Sequence, residues 1–148
     1  MEGMYIRPFT QADRQLVTNF FDQMGGETRF FFNRGDGNRK FAMAYFEGTS
    51  EHTDFFLAEY EGQMIGYVFL WDMNTAIPWL GIAVHDAYKG LGVGKKLMEH
   101  VIGHAKAHDK GGILLTTDAA NVRAQILYER YGFRYMGLNV EKLYLLRF

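Results

Sequence analysis

The 148-residue sequence predicts one mixed α/β domain. Three observations carry that expectation. The length suits a single core, since domains typically run to about 100–150 residues. The middle of the chain holds two β-branched and aromatic runs around Glu61-Gly62, the signature of a hairpin. The second half alternates short apolar runs with segments of helical period, and glycines punctuate them.

Taken in order, Met4 to Phe9 reads as a short edge strand, because Pro8 offers no amide hydrogen. Thr10 can cap a helix over residues 12–24, where Leu16, Val17, Phe20 and Phe21 recur at helical spacing, and Gly25-Gly26 ends it. Residues 27–50 carry a weaker pattern: Arg29-Phe30-Phe31-Phe32 precedes the turn formers Asn33-Arg34-Gly35-Asp36-Gly37-Asn38. A second helix is expected over Arg39–Phe46. Phe55–Ala58 and Gln63–Leu70 form the hairpin, and Trp79–Val84 is a further apolar strand. Leu97, Met98, Val101, Ile102 and Ala105 give one apolar face to a helix from Gly92 to His108, stopped by Gly111-Gly112. Ile113–Thr117 reads as a strand and Asn121–Tyr131 as a helix ending at Gly132. Strands near Phe133–Met136 and Val140–Phe148 complete the order.

Composition narrows the function. Sixteen basic against 17 acidic residues, a net charge of −1, disfavour a nucleic-acid or anionic-membrane binder. With no cysteine there is no disulfide, thiolate metal site or cysteine nucleophile. Met1-Glu2-Gly3-Met4 lacks the charged-then-apolar pattern of a signal peptide, so a cytoplasmic protein is expected.

The chemistry concentrates in Val84-His85-Asp86-Ala87-Tyr88-Lys89-Gly90-Leu91-Gly92-Val93-Gly94-Lys95-Lys96-Leu97. An apolar strand enters a glycine-rich turn in which an amphipathic helix begins. Glycines let successive N–H groups face one point, and the helix N-terminus adds partial positive charge, which suits a phosphate or pyrophosphate. Lys89 and Lys95 would add to the attraction. The Walker pattern fails, because Lys89 stands where glycine is needed and Lys96 where Ser or Thr is needed. The dinucleotide fingerprint fails because its third glycine would be Lys95. A plain tight turn is the alternative reading. The second cluster runs from Asn121 to Phe133; small Ala124 permits close approach, and Tyr128 lies one turn further on the same face. A tyrosine hydroxyl there can protonate a leaving group, or the ring can simply pack.

Together the two clusters resemble the GNAT superfamily of acetyl-CoA-dependent N-acetyltransferases, most strongly from Leu80 to Met136. The resemblance implies a mixed, mostly antiparallel twisted sheet with helices on both faces. It implies transfer of the acetyl group of acetyl-CoA to a primary amine by direct attack, with no metal. Ile82, Ala83 and Val84 would hold the pantetheine arm through their strand's backbone. Lys89, Gly90, Leu91, Gly92, Val93 and Gly94, with Lys95, would cradle the pyrophosphate. Asn121 would approach the pantetheine, and Tyr128 would protonate the departing thiolate. Phe31, Arg34 and Trp79 would shape the acceptor site for a small amine, an amino acid derivative or a peptide N-terminus. A non-catalytic acyl-CoA-binding sensor or adaptor is the rival reading. The aromatic strand Leu143–Phe148 could pair across a homodimer.

The sequence departs from the family pattern in three places. Lys89 replaces a glutamine or arginine, Asp86 stands where proline is frequent, and Pro78 occupies the position of a glutamate base. Asp72 is the first substitute for that base, ahead of Glu59, His85 and Asp118; a water relay or a neutral amine would need none. His100, His104 and His108 have helical spacing, but no glutamate follows the first histidine as a metalloprotease motif requires, so no metal is expected.

Overall fold

The computed structural model of the chain describes residues 1–32, 36–138 and 141–148. Strand β1 (Tyr5–Pro8) leads through a 3-10 turn (Gln11–Asp13) into helices α1 (Arg14–Asp22), α2 (Gly26–Phe32) and α3 (Gly37–Glu47). The hairpin β2 (Asp54–Tyr60) and β3 (Gln63–Trp71) is followed by β4 (Trp79–Val84), a 3-10 turn over Asp86–Tyr88, and α4 (Val93–Ala107). Then come β5 (Gly112–Thr117), α5 (Val122–Arg130), β6 (Arg134–Leu138) and β7 (Lys142–Arg147). The strands form one seven-stranded sheet in the order β1-β2-β3-β4-β5-β7-β6. Every neighbouring pair is antiparallel except β4 and β5, which α4 joins as a parallel crossover.

Local chemistry accounts for the boundaries. The Asp13 carboxylate accepts from the Thr10 N–H at 2.7 Å and from its hydroxyl at 3.1 Å, which closes the entry to α1. Glu61 and Gly62 both adopt positive φ, 50° and 76°, between the paired Tyr60 and Gln63, so the hairpin turns in the tight form its strand twist favours.

The register of β2 and β3 steps from Ala58↔Gly66 to Glu59↔Met64, leaving Ile65 as a bulge. The bulge changes the alternation of side chains along β3. Met64, Tyr67 and Phe69 feed one core with Val17, Phe20 and Phe21 of α1 and Ala42 of α3. Ile65, Val68 and Leu70 feed the other with Val93, Leu97, Met98 and Val101 of α4 and Tyr128 of α5. Helices therefore cover both faces, and β3 is buried along all but its ends.

Two features differ from the sequence expectation. Helix α2 was not anticipated: it is short, starts on glycine and ends in three phenylalanines, residues of only modest helical preference. The C-terminal strand is interior, with β5 on one side and β6 on the other, so β7 offers no free edge to a second chain. Among the described residues no helix is long and apolar enough to cross a membrane.

Candidate active site

Strands β4 and β5 share one register pair, Trp79↔Leu114, and then diverge. The Pro78 carbonyl accepts from the Leu114 N–H at 2.9 Å, while the His85 N–H reaches the Ile65 carbonyl at 2.8 Å. These two bonds fix the phase of β4. Gly81 and Ala83 direct their peptide groups at β3, and Ile82 and Val84 direct theirs into the opening beside β5.

The glycine loop closes one end of that opening. Gly90 and Gly92 have φ of 79° and 87°, a region where side chains with a Cβ are strained, and Gly92 is the N-cap of α4. Gly92 has no side chain to cap the helix, and the first helical bond runs from Lys96 N–H to the Gly92 carbonyl at 3.1 Å. The amides of Val93, Gly94 and Lys95 are therefore left without helical acceptors at the positive end of α4's dipole. That donor set fits a diphosphate.

A cavity of about 910 Å³ runs from this loop past β4 and α5 to an aromatic end. Its wall includes Ile82, Ala83, Val84, Lys89, Gly90, Gly92, Val93, Gly94, Lys95, Asn121 and Tyr128, all anticipated from the sequence. Leu91 is half exposed, at 52%, and is not on the wall. Asn121 uses its side-chain oxygen to cap α5 through the Ala124 N–H at 3.4 Å. Tyr128 is 7% exposed, with its ring near Phe133 and Tyr144. Burial pushes its ionisation well above the ordinary tyrosine value, and the charge of Glu141 pushes in the same direction. The phenol stays protonated at neutral pH.

At the aromatic end the wall carries Phe31, Phe32, Phe41, Phe69 and Trp71. Trp79 stacks on Trp71 at 5.5 Å, and of the two it is Trp71 that reaches the cavity. Arg34 lies outside the described residues.

The candidate bases are dispersed. Asp72 has a left-handed backbone, φ 58°, in the turn after β3, where its carbonyl accepts from Thr75, and it is not on the wall. Glu59 is bound to Arg7 at 2.8 Å and to the Tyr5 hydroxyl, which hold its carboxyl below the usual range. The Asp118 carboxylate accepts from the Ala120 N–H at 2.8 Å. His85 accepts from the Ala87 N–H at Nδ1, so its Nε2 carries the hydrogen toward Gln23 at 3.2 Å. The carboxylates on the wall are instead Glu27 and Glu141, which no local sequence signal singled out. Lys89, expected to face the phosphate, has its ammonium 2.8 Å from Asp86 and 2.6 Å from the Thr28 hydroxyl. His104 pairs with Asp54 at 2.8 Å, and the rings of His100 and His104 pack on Phe56.

Comparison with known proteins follows the same lines. N-acetylaspartate synthetase of Rattus norvegicus is 30% identical over 117 residues, 68% of this chain and 39% of that protein. The chain thus spans about two fifths of the length of the N-acetylaspartate synthetases it matches. Spermine/spermidine N(1)-acetyltransferase of Bacillus subtilis is 30% identical over 87 residues, 53% of this chain and 57% of that one. The PaiA N-acetyltransferase of Thermoplasma acidophilum, solved in complex with coenzyme A, superposes with a TM-score of 0.80 at 13% identity, covering 98% of this chain and 99% of the other. A GNAT-family acetyltransferase of Streptococcus pneumoniae superposes with a TM-score of 0.76 at 23% identity over 97% and 96% of the two chains. Residues 17–133 match the acetyltransferase (GNAT) family, and the chain belongs to it.

Proposed function

We propose that this protein moves the acetyl group of acetyl-CoA onto the nitrogen of a primary amine. The observation that carries the reading is one cavity in which the open edge of β4, the orphaned amides of α4 and the buried Tyr128 hydroxyl all meet. Acetyl-CoA supplies an acetyl group activated as a thioester. The Ile82 and Val84 peptide groups suit the amides of a pantetheine arm, much as a neighbouring strand would. Val93, Gly94 and Lys95 offer N–H groups to the diphosphate.

The amine must arrive as, or become, the free base before its lone pair attacks the thioester carbon. Of the two carboxylates on the wall, Glu141 is the one whose charge reaches Tyr128, and we assign it as the base in place of Asp72. As the new C–N bond forms and the C–S bond breaks, Tyr128 gives its proton to the leaving sulfur. Phe31, Phe32, Phe41, Phe69 and Trp71 suit the apolar body of an acceptor, and aromatic faces also attract an ammonium group. Relatives named for aspartate and polyamine acetylation leave the acceptor among small amines, amino acid derivatives and peptide N-termini. The near-neutral net charge fits a small acceptor in the cytoplasm better than a polyanion or a membrane.

Pro78 at the position of the family glutamate favours a second reading, a non-catalytic acyl-CoA-binding sensor. Calorimetric titration with acetyl-CoA, joined to a thiol-release screen over amines, separates the two. Binding with thiol release supports the enzyme. Binding without release from any amine supports the sensor, and no binding removes both.

A further inference from the structure

Asp86 stands in the turn between β4 and the glycine loop, and its carboxylate is surrounded by groups from a segment some sixty residues earlier. It accepts from the Thr28 hydroxyl at 2.5 Å and from the backbone of Gly25, and it pairs with Lys89 at 2.8 Å. Lys89 closes the triangle by donating to the Thr28 hydroxyl at 2.6 Å. A Cβ at Gly25 would meet the Asp86 carboxylate, so any side chain there would push that carboxylate away from its partners. Thr28 is buried, at 7% exposure, so the two bonds at its hydroxyl end inside the protein, while the Asp86 and Lys89 side chains are part-exposed. The neighbouring His85–Gln23 contact adds a second link between the same two segments.

Helix α2 has seven residues, too few to be stable without tertiary support. Its first turn is held by the Asp86 node. Its last residue, Phe32, sets its ring edge-on to Tyr67 at 5.6 Å. Between these fixed points the helix brings Thr28, Phe31 and Phe32 to the cavity wall, and Lys89 joins the same wall from the glycine loop. The aromatic end of the cavity is thereby bolted to the loop at its other end.

We propose that Asp86 is a positioning residue for the acceptor end: it makes the order of α2 depend on the order of the glycine loop, so that coenzyme held by the loop stiffens the aromatic wall. The proposal rests on the coenzyme reading given above. Once the loop is immobilised, Lys89 and Asp86 lose freedom, and the Thr28 and Gly25 bonds pass that loss to α2.

Amide hydrogen exchange on the full chain, with coenzyme A itself as the probe, tests it. In the unsubstituted protein coenzyme A should slow exchange both at residues 89–96 and at residues 26–32. In Asp86→Ala the slowing at 89–96 should persist, while that at 26–32 should shrink by about tenfold. Thr28→Val, which leaves the Asp86–Lys89 pair in place, should behave alike, and Thr28→Ser should restore the coupling. Slowing at 26–32 that survives Asp86→Ala and Thr28→Val overturns the proposal, as does slowing confined to 89–96 in the unsubstituted protein. Absence of slowing at 89–96 overturns the coenzyme reading and the proposal with it.

Discussion

Trp79 and Leu114 form the rung at which β4 and β5 part. On one side of it the sheet is continuous, and beyond it the peptide groups of Ile82 and Val84 face a gap that the glycine loop, α5 and the aromatic helix α2 close in. The crossover helix α4 begins at the far end of this gap, so its positive end and the open strand edge address the same space.

Tyr128→Phe keeps the ring and its packing near Phe133 and Tyr144 while removing the proton. It is expected to lower kcat by about 10²-fold or more and to leave the dissociation constant of coenzyme A unchanged. Steady-state kinetics beside calorimetry reads both. Turnover equal to that of the unsubstituted protein would remove Tyr128 from the chemistry.

Gly92→Ala meets no atom within 4 Å, so its whole cost is conformational. Holding alanine at a φ of 87° costs about 1–2 kcal/mol, and the loop recovers it by abandoning the cradle. Affinity for coenzyme A should fall about tenfold, with little change in the folded spectrum, as measured by titration calorimetry. Undiminished affinity would mean that the loop amides are not the diphosphate ligands.

Glu141→Gln removes a base and a negative charge at once. The assignment predicts a loss of about 10–10²-fold in kcat, with a residual rate that climbs as pH rises toward the acceptor's own ionisation. Removing the charge also relieves part of the upward push on Tyr128, so the alkaline fall of activity should begin at lower pH than in the unsubstituted protein. A pH profile unaltered in both limbs would remove Glu141 from the reaction.

Acid stability should centre on Asp13. Its carboxylate takes both Arg7 terminal nitrogens, at 2.7 and 2.8 Å, and Arg7 also holds Glu59. The Arg7 bonds lower the ionisation of Asp13 against the opposing effect of burial. A carboxyl group pulled down on folding stabilises the fold above the ordinary carboxylate range and loses that contribution as pH falls through its lower folded value. Asp13→Asn should therefore cost about 2–3 kcal/mol at neutral pH, and the difference should shrink below about pH 4. Denaturant titrations across pH measure it; a difference constant from pH 7 to pH 3 would remove the ion pair as its source.

Much of this architecture was legible because it is written locally. Glycines mark the hairpin at Gly62, the start of α4 at Gly92 and the stop after α5 at Gly132, and apolar period separates β4 from α4. The glycine-loop end of the cavity takes Ile82 to Lys95 from one continuous stretch, so those residues are neighbours in the sequence as well as on the wall. The aromatic end is not built that way. Glu27, Phe41, Trp71 and Glu141 come from separate segments that only the sheet order assembles, and Asp86 finds Thr28 across 58 positions. Helix α2 escaped because its order comes from contacts at both ends rather than from the preferences of its residues. Placing β7 between β5 and β6 required the pairing itself, since the run from Leu143 reads equally well as an edge.

Ile65 gives the hairpin a further property. One residue without a cross-strand partner acts as a phase shifter, after which odd and even positions exchange faces. Deleting it would join Met64 directly to Gly66 and make the ladder regular, with Met64 still opposite Glu59 and still facing the core of α1. The Ile65 carbonyl is also the acceptor for His85, the first residue beyond β4, so the same unpaired residue sets the angle at which the chain leaves the sheet for the glycine loop. A one-residue change in the middle of the molecule would thus be felt as misdirection at its rim, where the chain leaves β4 for the glycine loop.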